Sequence, residues 1–330
     1  MRHQTLATLS GIVGLSLLAT ACAGDTESDT ASDGTSETRT VEHLAGATEV
    51  PADPQRIVTT TDQNALLPLL ELGVRPVGSA GLLDTDGSTS FRRTEGFDTS
   101  GITFTGPYGE PNLEKVLSLA PDLVVGYDGD ASYYEDLAAL APTVLVQVFD
   151  RPLTDGLEQF AEVVGREEQA AELRAAYETR IADLRDGLGD RLDSLSLTVV
   201  EAGDPGTFYR SDVGQAMGTV VDDLGVLRVD AQAEDTGEEA TSLERLGDRS
   251  ADVVLVVDYS GEQSEPDVGT TALLDSPLYQ RLPAVRAEQG HVVDGTQVVG
   301  AAWARMDAFL DVLEDHLLDA RDDVVDEGAA

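Results

Sequence analysis

The chain has 330 residues, with 62 Asp and Glu against 21 Lys and Arg, four His, one Cys and a formal net charge of −41. Phosphate polymers are held by stripes of Lys and Arg, so this balance excludes a nucleic-acid binder, and one Cys excludes a disulfide framework or a Cys-rich metal centre. With 41% hydrophobic residues the chain has the apolar surface to fold, and its length fits two lobes better than one.

Met1-Arg2-His3 precedes a short apolar run from Leu6 to Ala21, interrupted by Gly11 and Gly14. A charged start, apolar middle and small-residue end read as a secretory signal peptide over 1–21, too short and too small for a spanning helix. The run ends Leu18-Ala19-Thr20-Ala21-Cys22, which resembles a bacterial lipobox. Cys22 is thus the expected lipid anchor, and the expected location is the outer face of the cytoplasmic membrane. Residues 22–40, rich in Ser, Thr, Gly and acids, offset too little ordering entropy to fold and are expected to form a tether.

From Arg56 the chain alternates. Arg56–Thr60 predicts a strand, Leu66 to Leu70 a helix ending at Gly73, and Val74–Gly78 the next strand. Asn112–Leu119 predicts a helix stopped by Pro121, Asp122–Gly126 a buried strand, Tyr133–Leu140 a helix and Pro142–Val146 a strand. A long helical stretch runs from Asp155 to Leu188, divided near Gly165, with Tyr177, Ile181, Leu184 and Leu188 on one face. The alternation then restarts with strands at Leu197–Val200 and Asp252–Val257 and helices at Ala216–Leu224 and Leu243–Leu246. The pattern predicts an α/β protein of two Rossmann-like lobes, 41–154 and 193–330, bridged by helix over 155–192. Ligands of such lobes sit beyond the carboxyl ends of the strands, here in the cleft between them.

No G-x-S-x-G elbow, H-E-x-x-H or G-x-x-x-x-G-K-[ST] occurs, and His43, His291 and His316 look isolated, so no enzyme, cofactor or metal site is expected. The better signals are aromatic and Arg residues in loops at strand ends. These are Tyr108, Tyr127, Tyr209, Arg210, Tyr259, Trp303 and Arg305, with Arg92 and Arg93 from a Gly/Ser-rich loop. Stacking faces and guanidinium forks suit a bulky or anionic ligand, held on a local positive island against the acidic whole.

Several stretches then stand in a familiar order. Pro51-Ala52-Asp53-Pro54-Gln55-Arg56-Ile57-Val58 is followed by Leu72-Gly73-Val74-Arg75-Pro76-Val77-Gly78. Gly109-Glu110-Pro111-Asn112-Leu113-Glu114-Lys115-Val116, running into Leu119-Ala120-Pro121-Asp122-Leu123-Val124, is the most specific. Ser242-Leu243-Glu244-Arg245-Leu246, Ser276-Pro277-Leu278-Tyr279 and Leu282-Pro283-Ala284-Val285 come after. Over nearly all of 41–320 the chain resembles the substrate-binding proteins of iron–siderophore and cobalamin ABC importers. That resemblance implies a monomeric lipoprotein that hands cargo to an ABC permease dimer with its ATPase. It also implies that Glu114 and Glu244, one per lobe, dock on Arg pockets of the two permease subunits. A ferric siderophore is the first choice of cargo, and its chelator satisfies the metal without a protein ligand. Haem and cobalamin are the alternatives, as is a sensor or adhesion module on the same fold.

Overall fold

The computed structural model describes residues 37–149, 151–212, 215–229, 239–260, 268–322 and 324; the signal sequence and Cys22 lie outside the described residues. Strands β1 (Thr38–His43) and β2 (Gly46–Pro51) form an antiparallel hairpin paired from Thr38↔Pro51 to His43↔Gly46. The tether expected up to Thr40 therefore ends earlier. Val41 and Val50 are fully buried, and anchoring them draws the β-branched residues beside them into the ladder.

The first lobe runs β3 (Ile57–Thr59), α1 (Leu67–Glu71), β4 (Gly78–Leu83), β5 (Thr89–Ser90), β6 (Thr103–Pro107), α2 (Leu113–Ser118), β7 (Leu123–Tyr127), α3 (Tyr134–Ala138) and β8 (Thr143–Val146). Strands β6, β4, β3, β7 and β8 lie side by side, all parallel, with β5 antiparallel on the end of β4. The strand expected at Val74–Gly78 begins only at Gly78, because Pro76 has no N–H to give a ladder. The helix expected from Tyr133 is α3 behind a 3₁₀ turn over Asp128–Tyr133.

Two helices follow, α4 (Leu153–Val164) and α5 (Glu167–Leu188), with a 3₁₀ turn over Gly189–Asp193. They break at Gly165, whose φ of 66° closes α4 in the left-handed region, as the sequence led us to expect. The bridge thus starts slightly before Asp155 and its long helix ends before residue 192.

The second lobe comprises β9 (Ser196–Ala202), β10 (Thr207–Arg210), α6 (Gln215–Leu224), β11 (Leu227–Arg228), β12 (Thr241–Ser242), β13 (Val253–Asp258), α7 (Val268–Asp275), α8 (Pro283–Arg286), β14 (Gly290–Asp294), α9 (Gly295–Val298) and α10 (Trp303–Leu317). The order is β12-β10-β9-β13-β14, with β9, β13 and β14 parallel, β10 antiparallel, and β11 parallel beside the start of β9. The short helix expected at Leu243–Leu246 is a 3₁₀ segment over Leu243–Arg249. A continuous apolar core joins strands of both lobes to α4, α5, α6 and α10. Two α/β lobes and a long helix are thus the observed architecture.

One segment of the first lobe, from the turn at Asn112 to the start of β7, is repeated in the second at an offset of 130 residues. Asn112-Leu113-Glu114-Lys115-Val116 matches Ser242-Leu243-Glu244-Arg245-Leu246, and in each the capping side chain accepts a backbone N–H, from Lys115 and from Glu244. Val116 and Leu246 are the buried members of each turn. Eight residues after each Glu, Asp122 and Asp252 precede the strands β7 and β13. Asp122 accepts the N–H groups of Gln55 and Arg56 at 2.8 and 2.9 Å, just before β3. Asp252 accepts Ser196 N at 3.0 Å at the start of β9, and Val324 N at 3.1 Å.

Of the three His read as isolated, two are not: His291 on β14 and His316 on α10 stack with ring centroids 3.9 Å apart. Burial, and then the neighbouring imidazole, hold His291 below the ordinary histidine pKa. His43 hydrogen-bonds the Thr48 hydroxyl at 2.9 Å and lies against Tyr134. Among the described residues no helix is long and apolar enough to cross a membrane.

Candidate ligand-binding site

The parallel strands of both lobes end in loops that carry most of the expected ligand residues, as this architecture requires. In the first lobe Asp62, three residues past β3, is fully buried. Its carboxylate grips Arg92 three times: Arg92 Nε at 3.0 Å, Nη2 at 2.7 Å and the backbone N at 2.9 Å. A two-pronged pair fixes the guanidinium plane. The Arg92 guanidinium lies 3.9 Å from the ring centroid of Tyr108, which is 47% exposed after β6. Tyr127, at the end of β7, feels the charge of Arg92 and lies near Tyr108. Burial, with Asp130 and Asp128 behind it, pushes its hydroxyl up to about 12, so it stays protonated. Asp130 itself takes the Thr60 hydroxyl and the Tyr127 N–H, and burial raises its pKa.

The second lobe supplies Tyr259, directly after β13. Its hydroxyl donates to Glu201 Oε2 at 2.9 Å, and the Ser211 hydroxyl reaches the same oxygen at 3.2 Å. The lobes meet here, because Arg93 of the first lobe sits over the Tyr259 ring, 5.4 Å from its centroid. Arg93 has a φ of 60°, rare for a side chain with a Cβ and a form of local strain that collects at functional sites. Arg305, at the start of α10, donates to the Arg93 carbonyl and to the carbonyls of Thr296 and Gln297, and pairs with Glu95 at 3.5 Å.

The junction beneath this cluster is tight. The Ala301 N–H donates to the Gln63 carbonyl at 3.0 Å, across the lobes. Gly300 has a φ of 121°, and a Cβ there would stand 3.2 Å from Leu67 Cδ2. Glu71, the last residue of α1, caps α10 from the other lobe, accepting Trp303 N at 2.8 Å and Ala304 N at 2.7 Å. Burial pushes its carboxyl up to about 7 although both N–H bonds work against the shift.

Arg92, Arg93, Tyr108, Tyr127, Tyr259 and Arg305 are thus brought together. Two expected residues, Trp303 and Arg210, are buried in other contacts. Trp303 is 1% exposed and packs on Tyr177 of α5, centroids 5.7 Å apart, so it serves the core and offers no stacking face. The reason is the N-terminal start of α10, which turns its first side chain inward. Arg210 has a side chain only 2% exposed and is paired at 2.8 Å with the fully buried Asp212, which withdraws it from the cleft. Tyr209 is the direct cross-strand partner of Glu201 on β9 and is half-buried, on the same sheet face as Glu201 and the opposite face to Arg210. Asp62, Glu71 and Glu201 were missed in the sequence, where they are three among 62 acids; only the place of Asp62 just past a strand end hinted at it.

Glu114 and Glu244 are both exposed at the second position of their turns, one on each lobe. Among the described residues no group of three or more His, Cys, Asp or Glu is placed to hold a metal ion.

A profile of the family described as "Periplasmic binding protein" matches residues 60–298. The chain belongs to that family. Its members are substrate-binding proteins, and its relatives carry siderophore names. "Probable siderophore-binding lipoprotein YfiY" of Bacillus subtilis is 28% identical over 84% of this chain and 87% of its own length. The siderophore periplasmic binding protein from the fuscachelin gene cluster of Thermobifida fusca superposes with a TM-score of 0.62 at 27% identity, over 81% of this chain and 98% of that one. Staphylococcus aureus SirA, solved with staphyloferrin B, shares the fold at a TM-score of 0.71 and 23% identity, over 86% of this chain and all of that one.

Proposed function

We propose that this chain is an extracytoplasmic lipoprotein, anchored through Cys22, that captures a ferric siderophore between its lobes and delivers it to an ABC importer. The observation that carries the reading is the meeting of Arg92, Arg93 and Tyr108 from one lobe with Tyr259 and Arg305 from the other, at the strand ends. Aromatic faces and oriented N–H groups suit a bulky chelate, and a chelate that saturates its iron asks no metal ligand of the protein. The siderophore relatives of the same family support the cargo. No step of bond making is needed: binding, lobe closure and release complete the cycle.

Glu114 and Glu244 are the proposed contacts to the permease dimer that its ATPase drives, one carboxylate per lobe. Two such points report lobe spacing to a fixed partner, and their equivalent caps and 130-residue offset support the pairing. The protein acts as a monomer in this scheme.

The test is retention of coloured ligands. The purified mature protein is incubated with ferric hydroxamate, ferric catecholate, ferric citrate, haem or cyanocobalamin, and passed through gel filtration with visible detection. A ferric chelate should co-elute at one equivalent. Retention of haem or cobalamin alone would overturn the cargo, and retention of none would overturn capture itself.

A further inference from the structure

Building on the ferric-siderophore reading, we infer that the cargo is a ferric chelate of zero or positive net charge, of the tris-hydroxamate class, and not a trianionic triscatecholate. The inference comes from the charge balance of the cluster. Among the described residues, Arg92, Arg93 and Arg305 bring three positive charges and Asp62, Glu95 and Glu201 three negative ones, with the carboxyls of Asp128 and Asp130 behind Tyr127 adding no positive charge. The positive island expected from the sequence is cancelled where it stands.

The cancellation is built in. Asp62 is fully buried and holds Arg92 by two side-chain prongs and the backbone N–H. Turning Arg92 wholly to an anion would strand that carboxylate without its partner, which is strongly destabilising in an interior. Arg305 is spent on the carbonyls of Thr296, Gln297 and Arg93 and on Glu95. Arg210, the fourth candidate, is sealed against Asp212. The cluster therefore offers directed N–H groups and Tyr faces, which suit neutral hydroxamate and amide oxygens, and little net charge. Tyr127 keeps its proton and supplies no phenolate to compete for iron. At long range the net charge of −41 concentrates cations near the surface and depletes anions.

The experiment measures binding of three probes to the mature protein across a range of NaCl. They are monocationic ferrioxamine B, neutral ferrichrome and trianionic ferric enterobactin. At low salt at least one hydroxamate should bind about tenfold or more tighter than the trianion, because the cluster has no net positive charge to set against the repulsion of the acidic whole. Added salt should weaken the cation, leave the neutral chelate unchanged and strengthen the trianion. Tighter binding of ferric enterobactin than of either hydroxamate would overturn the inference while leaving siderophore capture standing. Retention of no ferric chelate would overturn both. Glu201→Gln and Glu95→Gln, each of which removes one negative charge from the cluster, should raise affinity for the trianion relative to ferrichrome by about tenfold. An unmoved trianion affinity in both variants would contradict the charge argument.

Discussion

Asp122 in the first lobe and Asp252 in the second stand at the same point of a segment repeated at an offset of 130 residues, and each ties down the start of a neighbouring strand. They differ in depth. Asp122 is half-buried with two backbone N–H groups, whereas Asp252 is 3% exposed and also takes the N–H of Val324 and the Ser196 hydroxyl. At the outer turns the lobes agree more closely still, with Glu114 and Glu244 each exposed behind a capping side chain. At the strand ends they part: one lobe presents Arg92 on Asp62 beside Tyr108, the other Tyr259 on Glu201 with Arg210 buried against Asp212. The lesson is a division of labour. The turns that tie down strands and carry the proposed docking carboxylates are repeated, and the proposed cargo surface is not.

The comparison breaks most visibly at Glu114 and Glu244, the proposed docking carboxylates. Glu114→Arg with Glu244→Arg should lower uptake by about a hundredfold or more, since each reversal sets like charges against a partner's Arg pocket. Ligand affinity of the double variant, read by titration, should stay at the wild-type value. The single variants should cost uptake equally; a loss confined to one lobe would end the claim of equivalence.

The strand latches come next. Asp252→Ala should cost about 3 kcal/mol in urea unfolding, because buried N–H donors are left without an acceptor, and Asp122→Ala about 1–2 kcal/mol at its wetter site. Equal losses would show that depth does not separate the two lobes.

Between the lobes, Glu71 predicts a pH effect. Its carboxyl is raised from 4.5 to about 7, so the folded protein binds a proton that the unfolded chain releases in that window. Its contribution is therefore full below about pH 4.5 and lost as pH rises through 7, a swing of about 3 kcal/mol. Glu71→Gln should flatten the thermal stability profile between those values; an unchanged slope would refute the assignment. The smallest expected change is at the break between the bridging helices. Gly165→Ala should cost about 1 kcal/mol, since alanine resists the φ of 66°, with no change in binding.

The alternation of strands and helices was legible because period and punctuation are local: Gly165, Pro121 and the β-branched runs each act within a few residues. Strand edges were less so, since the start of β4 depends on the missing N–H of Pro76 and the start of β1 on burial of Val41. The candidate residues were legible as a group at strand ends but not in orientation. Sequence gives no sign that Trp303 turns onto Tyr177, or that Arg210 is consumed by Asp212, because both depend on contacts made after the lobes fold. The stacked His291 and His316 are 25 residues apart and meet only when α10 returns across β14.

The most direct measurement is the coupling between the two sides of the cleft. The retained ferric chelate is titrated into wild type, Tyr108→Ala, Tyr259→Ala and the double variant. A cargo gripped by both lobes predicts a loss of about tenfold in each single variant and a coupled, non-additive loss in the double. Wild-type affinity in either single variant would place the ligand on one lobe alone and contradict capture between them.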